Sequence, residues 1–298
     1  MTHLPILIFL IRVSKMPTTI IDGKKIAIAI EKKLIPRLAK LKKKKLIPRL
    51  AIISVGDDKP SQTYIRRKFE AAKRVEVDFL LFKFSKNTTT AILCAKIKKI
   101  QKINKLTGLI VQLPLPKNIN RAEVLNSIEP KIDVDCMTDA NVGRLVMGTN
   151  FILPPTPAAV LEALKYAKVN LSGKNITLVG TGALVGKPLT TILMNTEATL
   201  HVCNSQTKNL KKACLSADII ISGVGKKDLI RGNMIKMGAV VIDTGICFID
   251  GKVYGDANRA EMIKKSSYFT PTPGGIGPIT VALLMKNTII CAEKMLKK

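Results

Sequence analysis

The stretch of sequence that decides the fold is NITLVGTGALVGKPLTTILM, residues 175–194. Its first five residues form an apolar run typical of a strand, Gly180-Thr181-Gly182 opens a glycine-rich loop that ends at Gly186, and the remainder has helical apolar spacing. A strand, loop and helix in this order present backbone N–H groups to the pyrophosphate of a dinucleotide. The glycines are spaced G-x-G-x-x-x-G, one residue longer than the common fingerprint, so the motif alone also fits a structural turn. The flanking strand and helix favour the dinucleotide interpretation.

Apolar runs and helical periodicity alternate along both halves of the chain. Upstream of the glycine loop the pattern predicts strands at 50–55, 77–84 and 108–112 and helices at 20–41, 61–75 and 88–104. Downstream of Pro154 it predicts a helix at 158–167 and strands at 175–179, 199–203, 217–222 and 239–243. This alternation implies parallel sheets covered by helices, and the second block is a doubly wound nucleotide fold.

The predicted fold class is therefore α/β with two domains. We expect an N-terminal three-layer α/β catalytic domain over 16–157, a Rossmann-type doubly wound dinucleotide-binding domain over 158–279, and a C-terminal helix within 280–298 that returns to the first domain. Residues 1–15 are interpreted as an extension. Their apolar run, Leu4–Ile11, is too short to span a bilayer and lacks the preceding basic region of a signal peptide. No membrane association is expected.

The charge of the 298-residue chain is unusual, with 49 Lys and Arg against 21 Asp and Glu, a net charge of +28. Lys outnumbers Arg, and the excess is spread along the chain, which is typical of solvated faces. A polyanionic substrate or non-specific nucleic-acid contact would also use such charge. Trp is absent and aromatic residues are only 4%, so neither a stacking platform for nucleic acid nor a specific nucleic-acid partner is expected.

The six Cys form no C-x-x-C pair, and His3 and His201 are the two His of the chain. A metal site is therefore not expected. Scattered Cys also indicate a reducing compartment, and we expect a cytoplasmic protein.

A candidate catalytic pair lies in the helix predicted at 61–75. Tyr64 and Lys68 are four residues apart and share one helix face. In a cleft, desolvation and the nearby Arg66 and Arg67 would lower the pKa of Lys68, which would make its amine a general base near neutral pH. The spacing alone is more often that of a solvated basic helix face.

Three further segments place polar or flexible residues where α/β sheets bind ligands. Gln112 ends a buried strand in VQLPLP, residues 111–116, where its side chain can orient an amine. Asp135, in Asp133-Val134-Asp135, could accept two N–H bonds from an amino-pyrimidine ring. The stiff segment PGGIGP, residues 273–278, suits contact with a flat ligand or a tight domain crossover.

Six segments, taken together and in order, resemble the bifunctional methylenetetrahydrofolate dehydrogenase/methenyltetrahydrofolate cyclohydrolase family. They are S-x-x-Y-x-x-x-K, V-Q-L-P-L-P, D-V-D, V-G-K-P-L, V-V-I-D-x-G-I and P-G-G-x-G-P-x-T, and Ile21-Asp22-Gly23-Lys24 resembles the family's opening. The resemblance covers residues 16–298. It implies oxidation of 5,10-methylenetetrahydrofolate to the methenyl form with NADP or NAD, then hydrolysis to 10-formyltetrahydrofolate, in one-carbon metabolism and purine biosynthesis. It also implies a homodimer.

The resemblance assigns roles residue by residue. Lys68 would be the catalytic amine, Gln112 would tune it, Tyr64 would pack on the folate ring, and Asp135 would bind the pterin. The folate site would further be lined by Val111, Leu113, Pro273, Gly274, Gly275, Ile276 and Gly277. The dinucleotide would be contacted by Gly180, Thr181, Gly182, Gly186, Ser205 and Ile246.

The chain departs from the family pattern mainly around the dinucleotide. Thr181-Gly182 and Cys203-Asn204-Ser205-Gln206 replace more polar or cationic family residues, and Cys136 stands where the family has Gly. Because the strand ending at Cys203 is followed by neither an acid nor an Arg, the sequence leaves NAD and NADP open. A dehydrogenase of another small substrate, of the shikimate or amino-acid type, is a second candidate function. A basic nucleic-acid-binding protein is a third.

Overall fold

The computed structural model describes residues 17–103 and 105–296. The predicted extension, residues 1–15, lies outside them. The elements of the N-terminal half are β1 (Thr19–Ile20), α1 (Gly23–Lys43), β2 (Arg49–Val55), α2 (Lys59–Arg74), β3 (Asp78–Phe84), α3 (Thr90–Ile103), β4 (Gly108–Val111), α4 (Arg121–Asn126) and α5 (Asp139–Val146).

The first sheet is parallel and three-stranded, in the order β3-β2-β4. Its central strand is buried on both faces, which explains its continuous apolar run. Leu50 and Ile52 pack on one side with α1, α2 and residues 281–292, while Ala51 and Ile53 pack on the other side with α3. Helices on both faces give the predicted three-layer α/β arrangement.

The C-terminal half forms the second sheet and its helices. Its elements are α6 (Pro155–Tyr166), β5 (Asn175–Val179), α7 (Gly186–Met194), β6 (Thr199–Cys203), α8 (Leu210–Ser216), β7 (Ile219–Ser222), a short 3-10 helix (Gly232–Met234), β8 (Val240–Asp243), β9 (Cys247–Ile249), β10 (Lys252–Tyr254), α9 (Arg259–Lys265), β11 (Tyr268–Thr270) and α10 (Ile276–Met295).

The second sheet is parallel and six-stranded, in the order β1-β11-β8-β7-β5-β6. The chain passes from β5 to β6 on one side and then crosses to β7 on the other, which makes the β5/β7 boundary a topological switch point. The doubly wound prediction is confirmed. Four strands were not foreseen, namely β1, β9, β10 and β11, each of two or three residues. Thr19–Ile20 pairs with Tyr268–Phe269 and so adds residues 19–20 to this sheet. Two residues carry too little periodicity for a strand to be recognised.

Helix α10 joins the two halves. Its first turns place Ile276, Ile279 and Leu283 in the core of the second sheet, and its later turns place Leu284 and Ile289 in the core of the first. The predicted return of the last helix to the first domain is confirmed. Among the described residues, α10 is also the one helix long and apolar enough to span a membrane, and 67% of its apolar window is buried inside the protein.

Some element ends differ from the prediction. Helix α2 begins at Lys59 and not at Ser61, because the carboxylate of Asp58 caps it by accepting the Ser61 N–H at 2.9 Å and the Ser61 hydroxyl at 2.7 Å. Helix α6 begins at Pro155, since proline is tolerated in a first helical turn. The domain limit between residues 157 and 158 therefore falls inside a helix, and it stays a prediction.

Candidate active site

A cavity of about 990 Å³ lies at the carboxyl ends of strands from both sheets. Strand ends are where α/β folds expose polar backbone and side-chain groups to a ligand. The predicted residues that line the cavity are Tyr64, Lys68, Val111, Gln112, Leu113, Asp135, Ile246, Pro273, Gly274, Gly275, Ile276 and Gly277. The structure thus brings the predicted folate residues together with Ile246, which was predicted to contact the dinucleotide. Gly180, Thr181, Gly182, Gly186 and Ser205 do not line it, although Leu184 and Val185 of the same glycine loop do.

The central contact of the cavity joins α2 to the end of β4. The Lys68 Nζ donates a hydrogen bond to Gln112 Oε1 at 3.0 Å. Gln112 is itself fixed, since its Nε2 donates to the Leu113 carbonyl at 2.9 Å and its backbone N–H to the Ile53 carbonyl at 2.8 Å. The Gln112 oxygen therefore points at the amine and holds it in one place.

The electrostatics of Lys68 and Asp135 are dominated by burial. Desolvation lowers the pKa of Lys68, and the negative charge of Asp135 partly opposes this shift. Burial likewise raises the pKa of Asp135. The positive charge of Lys68 lowers this pKa, and the negative charge of Asp133 raises it further. The contributions of Arg66 and Arg67 foreseen from the sequence are not among the causes for Lys68, because Arg66 faces Glu70 and Arg67 lies over Tyr64. An amine with a lowered pKa beside a polarising oxygen can act as a base.

Tyr64 lies one helical turn before Lys68 and is half-buried on the same cavity wall. The Arg67 guanidinium carbon lies 5.8 Å from the centre of the Tyr64 ring. Burial raises the pKa of the Tyr64 hydroxyl, although Arg67 opposes the shift, so the ring presents a neutral face to a ligand.

The two carboxylates of Asp133-Val134-Asp135 have different surroundings. Asp133 is 1% exposed and accepts hydrogen bonds from the Met137 N–H, from the Thr138 N–H and hydroxyl, and from Asn141 Nδ2. Asp133 therefore shapes the loop. Asp135 lines the cavity, where its carboxylate is available to a donor on a ligand.

The segment 273–278 closes the cavity against the start of α1. The Gly23 N–H donates to the Gly274 carbonyl at 2.9 Å, and a Cβ at Gly23 would overlap the Gly275 carbonyl oxygen. Gly274 has φ +109, which side chains rarely adopt. The absence of a side chain at Gly23 thus allows this segment to pack against the backbone of Gly274 and Gly275. The close packing places Lys24 in the cavity lining.

The glycine loop fits a dinucleotide phosphate. Gly180 has φ +108, and a Cβ at Gly186 would overlap the Gly180 carbonyl oxygen, so both positions require glycine. Residues 181–184 are exposed at the start of α7, and their backbone N–H groups have no acceptor among the described residues. A Cβ at Gly182 would meet nothing within 4 Å, which leaves room for a ligand. Exposed N–H groups at a helix N-terminus bind pyrophosphate.

Ser205 follows β6 at the same edge of the sheet. The turn around it is fixed by the Asn204 N–H, which donates to Thr207 Oγ1 at 2.9 Å, and by the Gln206 N–H, which donates to Asn204 Oδ1 at 2.9 Å. Ser205 is exposed beside the glycine loop, since β5 and β6 are neighbours. This is where the adenosine ribose of a dinucleotide lies in such folds.

Several residues of the cavity lining were not predicted as site residues, among them Lys24, Asp58 and Asp243. Asp243 could have been found, because it ends a buried apolar strand at the edge that binds ligands. Lys24 follows the family's opening segment, but its spacing alone points to no role.

Both halves of the chain match models of known protein families. Residues 21–135 match the family model described as the tetrahydrofolate dehydrogenase/cyclohydrolase catalytic domain, and residues 154–296 match the model of its NAD(P)-binding domain. The bifunctional protein FolD of Campylobacter concisus is 41% identical over 94% of this chain and 99% of the relative.

Two solved structures share the fold over nearly the whole chain. The bifunctional FolD of Campylobacter jejuni has a TM-score of 0.90 at 38% identity, over 93% of this chain and 99% of that one. The Trypanosoma brucei enzyme, solved with NADP and an inhibitor, has a TM-score of 0.90 at 34% identity, over 95% and 99% of the two chains.

The fold and site define a two-domain α/β enzyme with a dinucleotide-binding half and a catalytic half. The chain belongs to the tetrahydrofolate dehydrogenase/cyclohydrolase family. It is a bifunctional enzyme of one-carbon metabolism that oxidises methylenetetrahydrofolate with NAD(P) and hydrolyses the methenyl product. The alternatives of a dehydrogenase for another substrate and of a nucleic-acid-binding protein are therefore set aside.

Proposed function

We propose that Lys68 is the general base of the cyclohydrolase step and that Gln112 is its positioning partner. The 3.0 Å contact between Lys68 Nζ and Gln112 Oε1 carries this proposal. A neutral amine takes a proton from the water that attacks the methenyl carbon, and the ring then opens to 10-formyltetrahydrofolate. Burial lowers the pKa of Lys68, which increases the fraction of neutral amine near neutral pH.

The pterin is held by Tyr64 and Asp135 in this proposal. Tyr64 offers a flat neutral face, and Asp135 offers two carboxylate oxygens to the N–H donors of the amino-pyrimidine edge. Val111, Leu113 and residues 273–277 form the apolar and backbone walls of the same cavity. Lys68 and Ile246 both line this cavity, so a folate bound here would carry its one-carbon unit within the same enclosure as the amine and the proposed nicotinamide contact.

The dinucleotide would be held by Gly180, Thr181, Gly182 and Gly186 at its phosphates, by Ser205 at the adenosine ribose and by Ile246 at its reactive end. When bound, it supplies the nicotinamide that accepts hydride from the methylene carbon. The protein's contribution to hydride transfer is mainly proximity, since releasing hydride from this carbon needs no strong acid.

The decisive experiment replaces the amine. Lys68→Met should lower cyclohydrolase turnover by roughly 100-fold or more, because the general base is lost, while dehydrogenase turnover falls much less. Lys73→Met is the matched control, since Lys73 is an exposed lysine of the same helix. Near-normal hydrolysis of the methenyl substrate by Lys68→Met would refute the assignment.

We propose NADP as the preferred dinucleotide. No acid follows β6 between Asn204 and Lys208, so nothing in this turn would repel a 2′-phosphate, and Lys208 adds a positive charge nearby. Dehydrogenase kcat/KM measured with each dinucleotide should favour NADP, and Lys208→Gln should reduce that preference. A higher kcat/KM with NAD would reverse the proposal.

We also propose a homodimer in the cytoplasm. The six Cys are unpaired, as in a reducing compartment. Strand β3 is an edge strand with the apolar sequence DFLLFKF, and Leu81 on it is 37% exposed. Such an edge favours pairing with a second copy. Leu81→Lys should give monomers by light scattering, whereas Ile35→Lys, at an exposed position on α1, should not; unchanged dimers in Leu81→Lys would exclude this interface.

A further inference from the structure

The carboxylate of Asp256 lies buried between two loops of the dinucleotide-binding half. Asp256 follows β10 and is 0% exposed. Its Oδ2 accepts the Ser222 hydroxyl at 2.6 Å and the Val224 N–H at 2.7 Å, while its Oδ1 accepts the Gly225 and Lys226 N–H groups, each at 2.8 Å. Three consecutive backbone N–H groups thus converge on one carboxylate, and these charge-assisted bonds fix the loop 223–226 after β7.

The same carboxylate fixes the loop after β8, residues 244–246. A Cβ at Gly245 would overlap the Asp256 carboxyl group, so the absence of a side chain there lets the carboxylate enter between the loops. A Cβ at Gly223 would lie 2.5 Å from Thr244 Oγ1, and one at Gly225 would lie 3.1 Å from the Ile246 carbonyl oxygen. The two loops are therefore packed backbone to backbone around Asp256.

These loops border the dinucleotide site. A Cβ at Gly180, in the glycine loop, would lie 2.9 Å from the Gly223 carbonyl oxygen. Ile246 lines the cavity that contains Lys68. Val224 is 48% exposed, and its Cγ2 would lie 3.2 Å from the same Cβ at Gly180. A shift of loop 223–226 or 244–246 would therefore move the wall on which the nicotinamide end of the dinucleotide must rest.

The carboxylate of Asp243 fixes the backbone at Asp256. Its Oδ1 accepts the Asp256 N–H at 3.1 Å, and its Oδ2 accepts the Ala257 N–H at 2.9 Å. The position of the Asp256 carboxylate is thus set by its own backbone and by its four donors together.

We propose that Asp256 is a positioning residue for the dinucleotide, whose buried carboxylate holds loops 223–226 and 244–246 in the shape that binds the nicotinamide end. The inference rests on the dinucleotide site and is independent of the roles proposed for Lys68 and Asp135. Asp256 is 0% exposed and does not line the cavity, so it would act through the two loops.

The test is Asp256→Asn, which keeps the shape but turns an amide N–H₂ toward the N–H donors of one side. Amide hydrogen exchange of Val224, Gly225 and Lys226 should become faster in the dinucleotide-free protein. The Kd for NADP should rise roughly 10-fold or more, since hydrogen bonds to a charged acceptor are lost. Cyclohydrolase turnover measured without dinucleotide should stay within about 3-fold of wild type, because the folate cavity keeps Lys68, Gln112 and Asp135.

Asp218→Asn is the matched control. Asp218 lies at the amino ends of β5 and β7, whereas the loops held by Asp256 follow the carboxyl ends of β7 and β8. Asp218 accepts the Asn175 N–H at 2.8 Å and pairs with Lys236. Its replacement should leave the Kd for NADP and the exchange of residues 224–226 unchanged. The proposal is overturned if Asp256→Asn binds NADP like wild type, or if both variants weaken binding equally.

If Asp256→Asn does not fold, Ser222→Ala tests the positioning role of Asp256 with a smaller change. It removes one of the four donors and leaves the carboxylate charged. Faster exchange at residues 224–226 with a several-fold weaker Kd for NADP would support the proposal. A folded Ser222→Ala protein with wild-type exchange and wild-type affinity would overturn it.

Discussion

At the scale of single residues, two opposing effects meet at the amine of Lys68. Burial lowers the pKa of this amine, and the negative charge of Asp135 raises it. The same burial raises the pKa of Asp135. Both groups are therefore shifted toward their neutral forms, and the Gln112 oxygen stabilises the amine through a dipole without adding a charge.

This balance predicts a pH profile. Cyclohydrolase kcat should rise with pH, because the neutral amine is the reactive form, and its midpoint should lie below the ordinary lysine value of about 10.5. Asp135→Asn removes the charge that raises the Lys68 pKa, so the rising limb should move to lower pH. The measurement is kcat against pH after subtraction of uncatalysed hydrolysis.

Asp139→Asn serves as the control for this profile, since Asp139 is exposed on α5 and does not line the cavity. Its profile should match the wild type. A limb that moves to higher pH in Asp135→Asn, or does not move at all, contradicts the electrostatic account.

Residue patterns alone could predict only part of this site. The i,i+4 spacing placed Tyr64 and Lys68 on one helix face, and the strand-end rule placed Gln112 at the ligand edge. The contact between Lys68 and Gln112 joins residues 44 positions apart in the sequence. It was anticipated only through the family resemblance. Asp256 was missed, because its four donors lie 30 to 34 residues away in sequence and no local pattern marks them.

At the scale of elements, the start of α7 depends on close backbone packing. Gly186 is the first residue of the helix, and it lies against the Gly180 carbonyl at the end of β5. The helix has no side-chain cap, so its N-terminal N–H groups stay available to a ligand. The sequence predicted this strand–loop–helix unit well, because its glycines and apolar periodicity are local signals.

The packing predicts unequal costs for two similar substitutions in this loop. Gly186→Ala should lower the free energy of unfolding by about 1–3 kcal/mol, because its Cβ would overlap the Gly180 carbonyl and force a backbone shift. Gly182→Ala is the matched control and should change it by no more than about 0.5 kcal/mol, since its Cβ meets nothing within 4 Å. Urea unfolding followed by circular dichroism measures both. Equal losses in the two variants would contradict the close contact.

At the scale of the whole molecule, the first and last elements of the described residues connect the two sheets. Strand β1 pairs with β11 of the six-stranded sheet, while α1, which follows it, packs on α10 and on the three-stranded sheet. Helix α10 contributes to both cores. Local periodicity could not show that residues 19–20 belong to the second sheet, because their partner lies about 250 residues away.

The net charge of +28 is a property of the whole molecule with its own consequence for stability. Repulsion among like charges destabilises the compact state, and the Debye length falls from about 30 Å at 0.01 M salt to about 10 Å at 0.1 M. Salt also weakens surface ion pairs, but exposed pairs contribute only about 0–1 kcal/mol each. The stabilisation gained by screening the repulsion should therefore exceed the loss from weakened ion pairs. The Tm should rise when NaCl is raised over this range.

A variant with less charge separates this effect from specific anion binding. Lys40, Lys98 and Lys211 are exposed and lie on α1, α3 and α8, away from the cavity lining. Replacing all three with Gln should raise the Tm at low salt and should reduce the increase produced by NaCl, because fewer charges remain to be screened. Scanning calorimetry without phosphate or dinucleotide measures both quantities. A Tm that falls as NaCl is added, or an equal increase in the two proteins, would mean that the excess of lysine is already offset locally.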